Sequence, residues 1–288
     1  MPKQFITIRR LLFTALATLC FVSTSYAATL FQDNFNSYTG NPNGHGWNAD
    51  NLWNTAQVVS GAGSDGSNAL RITFDADQLN RWCDWSPSQN LQEFYVKFDF
   101  KMDCGSGTCA GGAKFLKIFG QNVSSSYANT TTAFDYGTPS PVFTGLSYGA
   151  TGNQRDTASV LWYDGSKTIE SGGVSPTVAA KGTGNIDPKD GKWHTWEVHM
   201  KYNDDGQSNG IYEVWYDGVQ VLGATGVNNR STSSPPYVQS IQLGGWNQNY
   251  GGKPYYIYYD NVVVSTTRVT SSGATSLPAP SNLTVTSK

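Results

Sequence analysis

Arg81, Lys117 and His199 are the residues of this chain best placed to do chemistry. Lys117 interrupts the apolar run Phe115-Leu116-Lys117-Ile118-Phe119, where a charge is conspicuous. In the run Trp193–Tyr202, alternation sets Trp196, Val198 and Met200 on one strand face and Thr195, Glu197, His199 and Lys201 on the other. A histidine or lysine on such a face can act as a base, while Arg81, between Asn80 and Trp82, offers two parallel N–H donors to a carboxylate. Base plus cation is the set needed to remove a proton from carbon beside a carboxylate. Each residue also has a plain reading: a solvated lysine, a histidine on a wet sheet face, a salt bridge from Arg81 to Asp84. His194 falls on the core-facing side and His45 in a glycine-rich loop, so both read as structural.

Strands must position these groups. Gly191–Val221 alternates aromatic and polar residues around an Asn/Asp/Gly loop, then turns tightly at Asp217-Gly218 into Val219-Gln220-Val221. Similar runs recur at Ala69–Phe74, Arg81–Trp85, Glu93–Met102, Ala113–Phe119, Ser159–Tyr163, Ser240–Leu243 and Tyr255–Ser265. No long helical period separates them, so the expectation is an all-β antiparallel β-sandwich. Gln121–Leu146 and Ser166–Asn185, rich in Ser, Thr and Asn, read as long polar loops.

Residues 1–27 read as a signal peptide, with a basic start, the apolar run Leu11–Val22 and Ser25-Tyr26-Ala27 as cleavage site. That apolar run is too short to cross a bilayer, and no later one is longer, so a secreted or periplasmic protein with no membrane partner is expected. Residues 28–268 read as one domain and residues 269–288 as a Ser/Thr/Pro-rich linker. Without the leader, 16 basic residues face 21 acidic ones, a net charge of −5. That balance argues against nucleic acid, which is bound through basic patches. Cys104-Gly-Ser-Gly-Thr-Cys109 reads as a small disulfide loop in an oxidising compartment, with Cys83 either a buried free thiol or the true partner of one of the pair.

The segments FQDNF (Phe31–Phe35), FYVKFDFKMD (Phe94–Asp103), AKFLKIFG (Ala113–Gly120), GKWHTWEVHMKY (Gly191–Tyr202), IYEVWYDGVQV (Ile211–Val221) and YYIYYDNVVVS (Tyr255–Ser265) carry a resemblance. In order and character they resemble concanavalin A-like jelly-roll polysaccharide lyases of the heparin lyase and glucuronan lyase type. The tail LPAPSNLTVT (Leu277–Thr286) resembles the opening strand of a fibronectin type III domain. The Arg-x-Glu-x-Arg and Gln-Ile-His strands of the related alginate lyases are missing. So is the two-Glu-and-Asp strand of the related glucanases, and with only Glu93, Glu170, Glu197 and Glu213 present, glycoside hydrolysis is disfavoured.

The resemblance implies β-elimination on a uronate-containing polysaccharide, with Arg81 and Lys117 facing the carboxylate and His199 as base. It further implies sugar platforms among the aromatics, Trp215 and Trp246 first, with Trp82 and Lys201 beside the groove. Related sandwiches hold a structural Ca²⁺ between first and last strands, which points to Asp33 and Asp260 as ligands; no organic cofactor is implied. A monomer is expected. Two other readings use the same residues: a non-catalytic, lectin-like carbohydrate-binding module, and a structural surface domain in which the sandwich is a spacer.

Overall fold

A computed structural model describes residues 28–49, 55–74, 80–104, 112–120, 130–134, 142–146, 159–163, 166–170, 177–180, 190–207, 209–227, 238–248 and 254–269. Seventeen strands make up its regular structure, and no helix occurs among the described residues. They are β1 (Thr29–Asp33), β2 (Asn48–Ala49), β3 (Ala56–Val59), β4 (Ala69–Phe74), β5 (Asn80–Trp85), β6 (Glu93–Asp103), β7 (Gly112–Gly120), β8 (Thr130–Phe134) and β9 (Val142–Leu146). The rest are β10 (Ser159–Tyr163), β11 (Ser166–Glu170), β12 (Thr177–Ala180), β13 (His194–Lys201), β14 (Gly210–Tyr216), β15 (Val219–Val227), β16 (Val238–Gln248) and β17 (Tyr255–Ser265).

They form two antiparallel sheets. One has nine strands, in the order β12-β15-β14-β13-β6-β17-β4-β3 with β1 also on β17; the other has eight, in the order β11-β10-β9-β8-β7-β16-β5-β2. Strand β17 serves two partners on one edge. Its first half, Tyr255–Tyr259, pairs with β4, and Val262–Ser265 pairs with β1. The switch falls at Asp260-Asn261, where Asn261 has φ 50° and the pairing with β6 slips.

The core follows from alternation. In β6, Phe94, Val96, Phe98, Phe100 and Met102 are buried while the residues between them are not. Trp196, Val198 and Met200 of β13 point into the same core, as the sequence predicts. Phe115 of the opposing sheet stacks on Phe100 at 4.9 Å and meets Trp196 edge-on at 5.3 Å. Tyr259 links the layers, its hydroxyl donating to Phe115 O at 2.8 Å and accepting from Gly244 N at 3.0 Å.

One expectation needs correction, and one open alternative is decided. Gln121–Leu146 and Ser166–Asn185 are not only loops, because β8, β9, β11 and β12 lie within them. Thr130-Thr131-Thr132 is β-branched and suits a pleated strand although it lacks apolar alternation. Cys83 is a free thiol buried in the core, so it is not a partner of either other cysteine. Cys109 lies outside the described residues, as do residues 1–27, where a signal peptide is expected, and residues 270–288 of the expected linker.

Candidate functional site

Antiparallel register builds a polar row across the outer face of the eight-stranded sheet. Lys117 on β7 stands opposite Gln242 on β16, Gln242 opposite Asp84 on β5, and Asp84 opposite Asn48 on β2. Their neighbours Leu116, Ile118, Ile241, Leu243 and Cys83 are core, so the row faces away from it. A bulge in β16 opens the strand beside the row. Its Gly245 has φ 149°, and a Cβ there would lie 3.0 Å from Lys114 Cβ and 3.1 Å from Lys117 Cδ. Only glycine lets the two lysine stems lie this close over the strand.

Burial, with the Lys114 ammonium adding repulsion, depresses the Lys117 pKa to about 8. Burial lowers that of Lys114 too. The Lys117 Nζ sits 4.5 Å from the centre of the Phe119 ring. Asp84 moves the opposite way, pushed up to about 6 by burial despite hydrogen bonds from its own backbone and from Asn48. Asp84 Oδ1 and Gln242 Oε1 are both shut off from solvent, with no hydrogen-bond partner among the described residues. Trp82, one strand period from Asp84, is half-buried in the same outward set. This face therefore carries a lysine able to lose its proton near neutrality and a second cation beside it.

His199 is not there. It lies on the outer face of the other sheet, 4% exposed, between two carboxylates. Its Nδ1 is 2.8 Å from Glu213 Oε2 and its Nε2 is 3.0 Å from Glu93 Oε1, and the ring stacks on Tyr95 at 4.1 Å. Both ring nitrogens are engaged, which suits a structural clamp and not a base. Arg81 shares the row of Cys83 and Trp85, the inward set of β5, and is 5% exposed. The expected trio of Arg81, Lys117 and His199 is thus divided among three surfaces. The reason is topological: β13 and β7 belong to different sheets, and position 81 has the parity of the core.

The substrate-binding expectations divide likewise. Trp215 and Lys201 lie with His199 on the nine-stranded sheet, and Trp215 is 7% exposed beneath the Arg268 guanidinium, 4.1 Å from its ring centre. Trp246 is on β16, opposite Asn80 in the sheet of Lys117. Lys114, Asp84 and Gln242 escaped assignment as site residues. The signal for Gln242 was a polar residue between Ile241 and Leu243, the pattern that exposes Lys117.

For a metal, the two expected ligands are both engaged by donors. Asp33 Oδ2 accepts from Tyr38 Oη at 2.7 Å and Trp47 Nε1 at 2.8 Å, and Oδ1 from Phe35 N at 2.7 Å. Asp260 Oδ2 accepts from Ser64 N at 3.1 Å and Ser64 Oγ at 3.3 Å, and Oδ1 from Asn261 N at 2.7 Å, with Ser67 Oγ and Asn68 O close to Gly63 beside it. Carboxylate, hydroxyl and carbonyl oxygens are of the kind Ca²⁺ takes. Among the described residues no three His, Cys, Asp or Glu side chains form a metal-binding group.

A family model described as polysaccharide lyase matches residues 160–263. No curated protein sequence matches the chain. Among solved structures, the endo-β-1,4-glucuronan lyase of the fungus Trichoderma reesei is 16% identical with a TM-score of 0.54, the match covering 83% of this chain and 96% of that one. A variant alginate lyase in complex with alginate trisaccharide is 15% identical with a TM-score of 0.58, covering 83% and 99%. A cellulose-induced protein reaches 0.51 at 14% identity, covering 83% and 98%. The chain is thus similar to polysaccharide lyases, in sequence over residues 160–263 and in its β-sandwich fold over most of its length.

Proposed function

We propose that the chain is a secreted polysaccharide lyase that cleaves a uronate-containing glycan by β-elimination on the outer face of the eight-stranded sheet. The observation that carries this reading is the Lys117 amine, whose pKa burial lowers to about 8, with the Lys114 charge adding to the shift. A neutral amine at that position takes the C5 proton, and the Lys114 cation lowers the energy of the charge developing on the uronate carboxylate. Gln242 presents its amide from the facing strand, and Trp82 an aromatic wall. The leaving 4-oxygen takes its proton from solvent or from the lysine that has just been charged. The carbon–oxygen bond breaks as the C4–C5 double bond forms.

The uronate class is supported by the two lysines, and by relatives in fold that act on glucuronan and alginate. Incubating the chain with a panel of uronans while following ultraviolet absorbance of the unsaturated product is the test. A uronan that binds but yields no absorbance would leave the lectin-like reading in its place.

A structural Ca²⁺ belongs to the same proposal, placed beside Asp260. Asp99 and Asp65 add negative charge near Asp260, which a divalent cation would relieve. A chelator should lower the melting temperature, since a ligand bound only by the folded chain stabilises it. An unchanged melting temperature removes the ion.

A further inference from the structure

Strict strand alternation would send Lys114 and Lys117, three positions apart, to opposite faces of the sheet. They share the outer face because β7 bulges between them. Phe115 and Leu116 are both fully buried, whereas the lysines that flank them are half-buried and pack over Gly245. The pairing with β8 slips at this place, where Lys114 faces Ala133 but Leu116 faces Thr132. The pairing with β16 slips there too: between the Leu116–Leu243 and Ala113–Asn247 pairs, Gly244, Gly245 and Trp246 stand against Lys114 and Phe115. A bulge of this kind re-aims the side chains around it.

One buried hydroxyl ties the two slips together. Tyr259 comes from β17 in the other sheet and is fully buried. Its Oη donates to Phe115 O at 2.8 Å, inside the β7 bulge, and accepts from Gly244 N at 3.0 Å, where the β16 bulge begins. We infer that Tyr259 is a positioning residue for the elimination: through these two bonds its hydroxyl holds the paired bulges that set Lys114 beside Lys117. The inference rests on the reading of Lys117 as the base. Tyr259 itself lies in the core and touches no substrate.

The ring and the hydroxyl have separable tasks. The ring packs on Phe98, 5.6 Å between centres, which phenylalanine would do as well; only the hydroxyl reaches the bulges. Among the described residues, those facing Lys117 across the sheet are Gln242 on β16 and Thr131 on β8, with Asp84 on β5 beyond Gln242. Lys114 is the charge on β7 itself whose place depends on the bulge, and its repulsion adds to burial in lowering the Lys117 pKa. Without the bulge, alternation would turn one of the two lysines away and remove that repulsion.

The test reads Lys117 directly, by trace acetylation of the whole chain at a series of pH values with the modified lysines resolved by mass spectrometry. The rate at Lys117 should rise with a midpoint near 8 in the unaltered chain. Tyr259→Phe should move that midpoint up toward the ordinary lysine value of 10.5, and elimination should need a correspondingly higher pH. In a chain that carries Lys114→Met, adding Tyr259→Phe should produce a smaller shift, because the charge that the bulge places is gone. A lower melting temperature with an unmoved midpoint would make Tyr259 a packing residue only and overturn the proposal. A shift as large with Lys114→Met as without it would overturn it too. If Tyr259→Phe does not fold, Gly245→Ala carries the test, since its Cβ would press on both lysine stems from β16. That variant should also raise the midpoint, and an unmoved one overturns the proposal. Acetylation reads Lys117 whether or not the chain eliminates. Inactivity toward every uronan would therefore reject the lyase reading by itself, and an unmoved midpoint in an active chain would reject the positioning role by itself.

Discussion

The two outer faces of the sandwich hold their charged residues in opposite ways. On the nine-stranded sheet the charges are paired with opposite charges: His199 lies between Glu93 and Glu213, and Arg268 against Glu197, whose Oε1 keeps no partner among the described residues. On the eight-stranded sheet Lys117 is buried beside a like charge, and Asp84 and Gln242 keep acceptors unpaired. Pairing lowers the energy of a folded state and leaves little reactivity. A buried lysine beside a second ammonium is driven toward its neutral, basic form, and that imbalance is what proton abstraction needs.

The largest expected effect breaks the lysine face. Lys117→Met should cut elimination by about 10² to 10⁴, the span typical of a lost general base, with little change in fold. In the unaltered chain, activity should rise with pH to a midpoint near 8, as Lys117 loses its proton. Lys114→Met should shift that midpoint to higher pH, because removing a like charge makes the Lys117 proton easier to hold. A midpoint that does not move would show that the two ammonium groups are not coupled in the reacting enzyme.

The next effect tests the paired face. His199→Ala should leave elimination intact and lower stability by about 1–3 kcal/mol, the cost of stranding polar partners in a half-buried place. Denaturant unfolding and the ultraviolet assay, run on the same preparation, separate the two readouts. Loss of elimination with stability preserved would make His199 the base after all and reverse the assignment of the faces.

Much of the fold could be read from the chain, and the site only partly. Strands with strict alternation, such as Glu93–Asp103 and Tyr255–Ser265, declare themselves because one face must be apolar. The Thr-rich strand β8, between β7 and β9 in the eight-stranded sheet, does not, since hydroxyl side chains give no two-residue period of hydrophobicity. Lys117 was visible because a charge inside Phe-Leu-Lys-Ile-Phe has few explanations. His199 and Arg81 were visible as residue types, but which sheet owns a strand is a matter of long-range pairing. Sequence patterning sets which way a side chain points along its own strand and does not say which strands become neighbours. For the same reason Asp84 was noticed only as a partner for Arg81, while its register opposite Gln242 appears once β5 and β16 are paired.

The smallest expected effect concerns Asp84, whose carboxyl is raised from 3.8 to about 6 by burial. The folded chain then holds a proton that the unfolded chain has already released. Between those two values the folded state binds more protons, so the Asp84 contribution to stability falls as pH rises and is flat above about 6. Asp84→Asn removes this dependence, because an amide does not titrate. The melting temperature of Asp84→Asn minus that of the unaltered chain should therefore increase from pH 4 to pH 6 and level off beyond it. The difference isolates Asp84 from Asp260, whose carboxyl is also raised to about 6 and is present in both proteins. A difference that decreases over this window would mean that the ionised carboxylate is favoured in the fold, as it would be with an ammonium against it. Asp84 and Lys117 would then form an ion pair across Gln242, and the lysine face would be matched in the same way as the histidine face.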